Sequence, residues 1–257
     1  MAIIRNEALH KQVAAAMRQS IATGEWPPGT QLPTETDLAE TYGVSRPTVR
    51  LAVAALRSEG QLDVKQGRGT FVRAAVHGPS ASLDRTIATQ GDTFSTPIDP
   101  WFAHAEEPTV YRTRTDAITG PLLEMDQDEL MLGCDRLLTD PTGNGRALHR
   151  LLLPMERIEA TPLAQQPAAT PAEAYAVLAA VGHSLTWHER VSARVPQPDE
   201  REALQLSEAA ALLIAHRITC DQNTGLPLIL EETRLGAETT ALTYAIDAHK
   251  LKRATPR

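Results

Sequence analysis

The amino-acid sequence predicts an α+β protein of two domains, a small helical domain that ends in a two-stranded wing and a larger domain built on an antiparallel sheet. Three observations carry that expectation. Helical periodicity and helix-capping residues crowd into residues 8–58. In the C-terminal half, two pairs of apolar runs flank the turn-forming stretches Asp140 to Gly145 and Asp221 to Gly225, the pattern of hairpins. The charge is uneven: residues 1–75 hold nine Lys or Arg against seven Asp or Glu, net +2, so the remainder carries −9 of the overall −7. A length of 257 residues accommodates two ordinary domains.

Each element follows from local chemistry. Leu9, Val13, Met17 and Ile21 recur every four positions, which predicts a helix over Ala8 to Thr23, and Gly24 ends it. Trp26-Pro27-Pro28-Gly29 is a rigid turn, and Thr30 to Leu32 is long enough only for a very short strand. Thr34 followed by Asp37 is a variant capping box that starts a second helix over about Glu35 to Tyr42. Gly43 supplies its left-handed end and Ser45 caps a third helix at once, so the two must cross at a large angle. Pro47 is tolerated in the first turn of that helix, where its missing N–H has no partner to lose. Val49, Ala52, Val53 and Leu56 face inward, which leaves Arg46, Pro47, Thr48 and Arg50 on the outer side. After Gly60, Leu62 to Val64 and Thr70 to Arg73 read as two strands joined at Gln66 to Gly69.

Residues 76–108 hold several Pro, Gly and Ser with weak periodicity and read as a linker; the second domain is expected over 109–250, with a tail at 251–257. Glu129 to Thr139 and Arg146 to Leu153 form its first hairpin, Ala211 to Cys220 and Pro227 to Arg234 its second. Between them lie a helix over Ala172 to Val181, a strand over Ser184 to Val195 and a helix over Asp199 to Leu206.

Composition narrows the function classes. No apolar run approaches the roughly 18 to 20 residues that cross a bilayer, and the first residues lack the apolar stretch of a secretory signal, so a cytoplasmic protein is expected. Cys134 and Cys220 stand far apart with no CxxC spacing, which favours buried small hydrophobes over metal or redox chemistry, and no cofactor is implied. A nucleophile elbow, a phosphate-binding Gly-rich loop and an HExxH motif are absent from the sequence.

The N-terminal domain has the parts needed to read double-stranded DNA. A helix presented by its N-terminal end fits the major groove, where Arg46 or Arg50 can donate to guanine O6 and N7. The free N–H groups at helix starts, beside Thr34 and Ser45, suit phosphates. Arg68, with Gly67 and Gly69 keeping its surroundings slim, can approach the minor groove. Taken singly, each of these arginines is an ordinary solvated charge; the order of capping and turn residues around them is what favours the DNA reading.

That run resembles the GntR family of regulators through Leu9 to Val13, Ile21 to Ala39, Tyr42 to Arg50 and Gly60 to Val72. The resemblance implies DNA contacts by Arg46, Thr48, Arg50, Gly67 and Arg68, with phosphate support from Thr34 and Ser45, and Pro47 and Gly69 on the same surface. Two positions depart from the family pattern: Thr36 stands where an Arg is usual, and Pro47 where Thr or another polar residue is frequent. Beyond residue 109, Glu129 to Gly143, Leu153-Pro154, Ala174 to Leu178 and Gly225 to Glu231 resemble the HutC-like subfamily, whose sensory (UTRA) domain has a chorismate-lyase-like α+β fold. The resemblance implies a homodimer on a near-palindromic operator. It also implies a small-molecule effector, a sugar phosphate or an amino-acid derivative, near Arg136, His149 and Tyr175. Ile229 replaces the carboxylate common in relatives, and Glu231 is next on that strand face. Three readings follow: an effector-controlled repressor, a ligand-independent dimeric repressor of the kind that controls mobile-element transfer, and a lyase-like enzyme using Arg136, His149, Glu189 and Glu231.

Overall fold

The computed structural model describes residues 8–65, 67–73, 81–91, 93–143 and 145–246. The chain divides into two compact units, Met1–His77 with Gln205–Ala211, and Gly78–Leu204 with Leu212–Arg257.

In the first unit, helix α1 (Leu9–Ala22) turns Val13, Ala14 and Met17 inward. Leu9, expected on that face, is exposed, because it is the first residue of the helix and lies a full turn before the packed stretch. Helix α2 (Glu35–Tyr42) starts at Thr34, whose hydroxyl accepts the Asp37 N–H at 3.2 Å while the Asp37 carboxylate accepts the Thr34 N–H at 3.1 Å. Gly43, at φ 64, ends it, and Ser45 caps α3 (Arg46–Ser58) two residues later. Val49, Ala52 and Leu56 of α3 are fully buried against Met17 and Leu38, so the apolar stripe read from the sequence is the face that docks α3 on α1 and α2. Strands β1 (Leu62–Lys65) and β2 (Gly69–Val72) pair antiparallel and bury Leu62 and Val72 in the same core. Gln31 bridges to Phe71, which makes the short strand expected at Thr30 to Leu32 a third edge of the wing. Gln66 of the expected turn lies outside the described residues.

The second unit begins earlier than expected, which corrects the linker reading of residues 76–108. Residues 81–108 contain β3 (Ala81–Asp84), β4 (Ala88–Gln90), β5 (Thr93–Ser95) and a one-turn helix α4 (Asp99–Phe102). Leu83, Ile98 and Trp101 from this segment are buried with Leu138, Ala147 and Leu235, so their apolar area is removed from water and the chain is held. Residues 76–80 and 92 of the expected linker lie outside the described residues, as do Asn144 and the tail 251–257.

A six-stranded antiparallel sheet follows: β6 (Thr109–Arg114), β7 (Leu130–Thr139), β8 (Arg146–Pro154), β9 (Leu185–Arg194), β10 (Leu212–Asp221) and β11 (Pro227–Gly236), in the spatial order β6-β7-β8-β11-β10-β9. Among the helices, α5 (Thr119–Leu123) follows β6, α6 (Met155–Ile158) follows β8, α7 (Pro171–Ala180) precedes β9 and α8 (Pro198–Ala203) precedes β10. Strand β12 (Thr240–Thr243) pairs in parallel with β3. Helix α7 lays Ala174, Tyr175 and Leu178 on the face formed by Cys134, Leu151 and Ile229, and α5 covers the opposite face through Leu123 against Met131, Leu152 and Leu230.

Candidate functional sites

The first unit gathers its polar surface at the starts of two helices and the wing tip. Ser45 Oγ lies 2.8 Å from Thr48 Oγ1 and accepts the Thr48 N–H at 3.4 Å, so this hydroxyl pair closes the first turn of α3. Arg46, Pro47 and Arg50 are exposed on that helix, and Thr48 is half-buried. The Arg50 guanidinium grips Glu35 of α2 with two parallel bonds, Nε to Oε1 at 3.1 Å and Nη2 to Oε2 at 2.8 Å. Arg50, with burial opposing and Arg46 assisting, holds the Glu35 carboxyl below the usual carboxylate range. Across a cavity of about 250 Å³ lined by Thr34, Glu35, Gly69 and Thr70, the start of α2 faces the wing. There Gln31 Nε2 donates to the Arg68 carbonyl at 2.9 Å, and Gly67, Arg68 and Gly69 are exposed. Glu35 thus ties the start of α2 to Arg50 of α3, and Gln31 ties the segment before α2 to the Arg68 carbonyl of the wing tip.

The second unit holds a buried polar row on the sheet face beneath α7. Glu189 of β9, Arg217 of β10 and Glu231 of β11 sit side by side in register. Glu189 is the hub: Arg85 donates to it from Nε at 2.9 Å and Nη2 at 3.1 Å, Arg217 Nε at 2.6 Å and the Tyr244 hydroxyl at 2.8 Å. Burial would raise its carboxyl, yet Arg85 and Arg217 outweigh burial and keep it below the ordinary value. Beside these groups opens a cavity of about 440 Å³ lined by Arg85, Ile87, Trp187, Glu189, Arg217 and Tyr244.

The four residues expected at an effector site do converge on this sheet, but only Tyr175 and Glu231 hydrogen-bond to each other. Tyr175 donates its hydroxyl to Glu231, and burial, with the Glu231 charge beside it, pushes the phenol well above its ordinary value. His149 Nε2 is 3.7 Å from Glu231 Oε2, a charge-pair distance and too long for a hydrogen bond. Burial pushes the His149 imidazole down, and the Arg217 guanidinium helps to hold Glu231 low against its own burial. Arg136 donates to the carbonyls of Ala168 and Ala169 and lies over the Phe102 ring, which packs T-shaped with the His149 ring at a centroid separation of 5.1 Å. All four are more than nine-tenths buried, and none is among the residues lining the 440 Å³ cavity.

With both geometries in hand, known proteins supply the decisive comparison. The profile of bacterial regulatory proteins of the gntR family matches residues 9–72. Those residues are a GntR-family DNA-binding domain. The chain is 29% identical over 248 residues to an uncharacterized HTH-type transcriptional regulator of Rhizobium meliloti, an alignment covering 91% of this chain and 93% of that protein. It is 44% identical over 68 residues to the mannosyl-D-glycerate transport/metabolism system repressor of Escherichia coli, 26% of this chain and 28% of that protein. A crystal structure of a GntR-family transcriptional regulator superposes with a TM-score of 0.65 at 20% identity over 95% of this chain and 99% of that one, which extends the shared two-domain fold to the second unit. The chain is a DNA-binding transcriptional regulator.

The helices and wing of the GntR-type domain were legible in the sequence, whereas the cluster of Arg85, Arg217 and Tyr244 around Glu189 in the second unit was not. Arg217 did leave a signal, since it is a charge on the same side of its strand as Leu213, Ala215 and Thr219. Arg85 left none, because it sits in a segment whose short strands show no clean alternation.

Proposed function

We propose that the chain acts as a homodimeric repressor on a near-palindromic operator, with a small anionic effector of the second unit setting its affinity for DNA. What supports the DNA-reading part is the exposure of Arg46, Pro47 and Arg50 at the start of α3 and of Gly67, Arg68 and Gly69 at the wing tip, with the start of α2 joined to Arg50 through Glu35. On this reading α3 enters the major groove with Arg46 and Arg50 toward base edges or phosphates. Thr34, Ser45 and Thr48 support the backbone, Pro47 lies against it, and Arg68 between Gly67 and Gly69 reaches the minor groove. The protein then works in the cytoplasm, on the nucleoid.

The effector reading rests on donor surplus around the 440 Å³ cavity. Four donors already satisfy Glu189, which leaves further N–H groups on Arg85 and Arg217, and Trp187 Nε1 is buried without a hydrogen-bond partner among the described residues. Such a wall favours the phosphate of a sugar phosphate or the carboxylate of an amino-acid derivative. Arg136, His149, Tyr175 and Glu231 form the buried backing that ties this wall to the centre of the sheet.

The test is a thermal-shift screen of phosphorylated sugars and amino-acid derivatives, followed by gel shifts on a duplex that the protein has selected from a random pool. A ligand at 100 times its Kd is expected to stabilise by about 2.7 kcal/mol and to change DNA affinity, and Arg217→Ala abolishes both effects. Stabilisation with unchanged DNA affinity sinks the regulatory role, and turnover of the stabilising compound favours the lyase-like alternative.

A further inference from the structure

Resting on the reading that Arg50 meets DNA, we propose that Glu35 is a positioning residue that sets sequence discrimination by holding the Arg50 guanidinium in one orientation. The geometry is specific. Arg50 uses Nε and one hydrogen of Nη2 on the Glu35 carboxylate, at 3.1 and 2.8 Å. A guanidinium has five N–H donors in a rigid plane, so the opposite edge, Nη1 with the second hydrogen of Nη2, stays available as another two-pronged fork. That edge matches guanine O6 and N7 or two phosphate oxygens. The Arg50 side chain is 66% exposed and that of Glu35 33%, so the pair sits at the surface with the carboxylate the less exposed partner.

Two consequences separate this role from that of an ordinary acidic residue in a helix first turn, where a carboxylate is favoured by the helix dipole alone. First, a long arginine side chain has rotamer freedom to lose on binding, and a partner that restricts it beforehand favours one target geometry over the many that a mobile cation can reach. Second, the pair is neutral overall. Removing the carboxylate frees a cation for any phosphate, so indiscriminate binding strengthens while discrimination falls. A residue that merely stabilises α2 produces neither effect.

The experiment takes the full chain as wild type, Glu35→Gln, Arg50→Ala and the double variant, with thermal melts confirming that each is folded. Each protein selects duplexes from a randomised pool, and its affinity is then measured for the wild-type-selected duplex and a scrambled one over a range of salt. Glu35→Gln is expected to lower the specific-to-scrambled affinity ratio on the order of tenfold, to blur one base-pair position per half-site, to bind the scrambled duplex more tightly and to steepen the salt slope by about one. In the Arg50→Ala background it changes none of these. If Arg50→Ala keeps wild-type affinity and selection, the contact reading of Arg50 fails and the proposal goes with it. If Arg50→Ala is impaired but Glu35→Gln is silent, or acts equally with and without Arg50, positioning is overturned while the contact reading stands.

Discussion

At the scale of single residues, the wing shows how one backbone need can look like another in the sequence. Gly67 and Gly69 flank Arg68 and were both read as clearing space for a nucleic acid, yet the structure separates them. Gly67 has φ +71 with nothing near its missing Cβ, whereas Gly69 has φ +108 and an added Cβ would lie 2.6 Å from Gln31 Nε2. Gly67→Ala therefore meets only the left-handed backbone penalty, about 1 to 2 kcal/mol. Gly69→Ala adds a clash with the side chain that fastens the Arg68 carbonyl, so its loss is expected to be larger and to displace the wing tip as well. Urea denaturation of the two variants checks this, and equal losses contradict the role given to Gln31. The buried face of the second unit holds the parallel lesson. Tyr175 and Glu231 were readable as neighbours in function, but their hydrogen bond to each other became visible only when α7 was seen lying over β11. Tyr175→Phe takes a donor from a fully buried carboxylate and is expected to lower stability by about 1 to 3 kcal/mol, measured by the same denaturation.

At the scale of elements, legibility followed the locality of the cause. Both ends of helix α2 and the start of α3 were placed in the sequence to within a residue because they are set by neighbours a few positions away: Thr34 with Asp37, Gly43, and Ser45 with Thr48. The long strands β7, β8, β10 and β11 were equally legible, since the turns between them sit at Asp140 to Gly145 and Asp221 to Gly225. The segment 81–102 was not, for a physical reason. Strand β3 finds its partner β12 about 160 residues away, and β4, three residues long, is wholly exposed, so neither composition nor period marks them. A locally determined element should also respond locally. Thr34→Ala removes both the acceptor for Asp37 N–H and the donor to its carboxylate, and is expected to destabilise the first unit by about 1 kcal/mol. The matching variant Thr170→Ala, at the capping box of α7, should place a similar loss in the second unit. Amide hydrogen exchange resolved by segment distinguishes the two, and a loss spread evenly over both units contradicts this view of the caps.

At the scale of the whole molecule, the uneven charge read from the sequence becomes an uneven response to acid. In the second unit, buried or half-buried carboxylates are held low by cations: Arg194 and Arg234 overcome burial to bring Glu200 down to about 2, and the same balance acts at Asp135, Glu189, Glu231 and Glu232. Asp221, beside His183 and two backbone N–H groups, is also brought down to about 2. Among the described residues of the first unit, the carboxyl with a lowered value is Glu35. A carboxylate whose pKa is depressed by folding contributes its full stabilisation above the ordinary range near 4 and loses it as pH falls toward the folded value. The second unit is therefore expected to weaken steeply from about pH 4.5 toward pH 2, while the first, whose core is closed by Met17, Val49 and Leu56, weakens less over the same interval. Tryptophan reports this directly, because Trp26 belongs to the first unit and Trp101 and Trp187 to the second. With Trp26→Phe, fluorescence follows only the second unit, and with Trp101→Phe and Trp187→Phe combined it follows only the first. The acid midpoint of the former should lie at the higher pH. Coincident midpoints, or the reverse order, would show that the ion-paired sheet face does not govern the acid stability of the sheet unit.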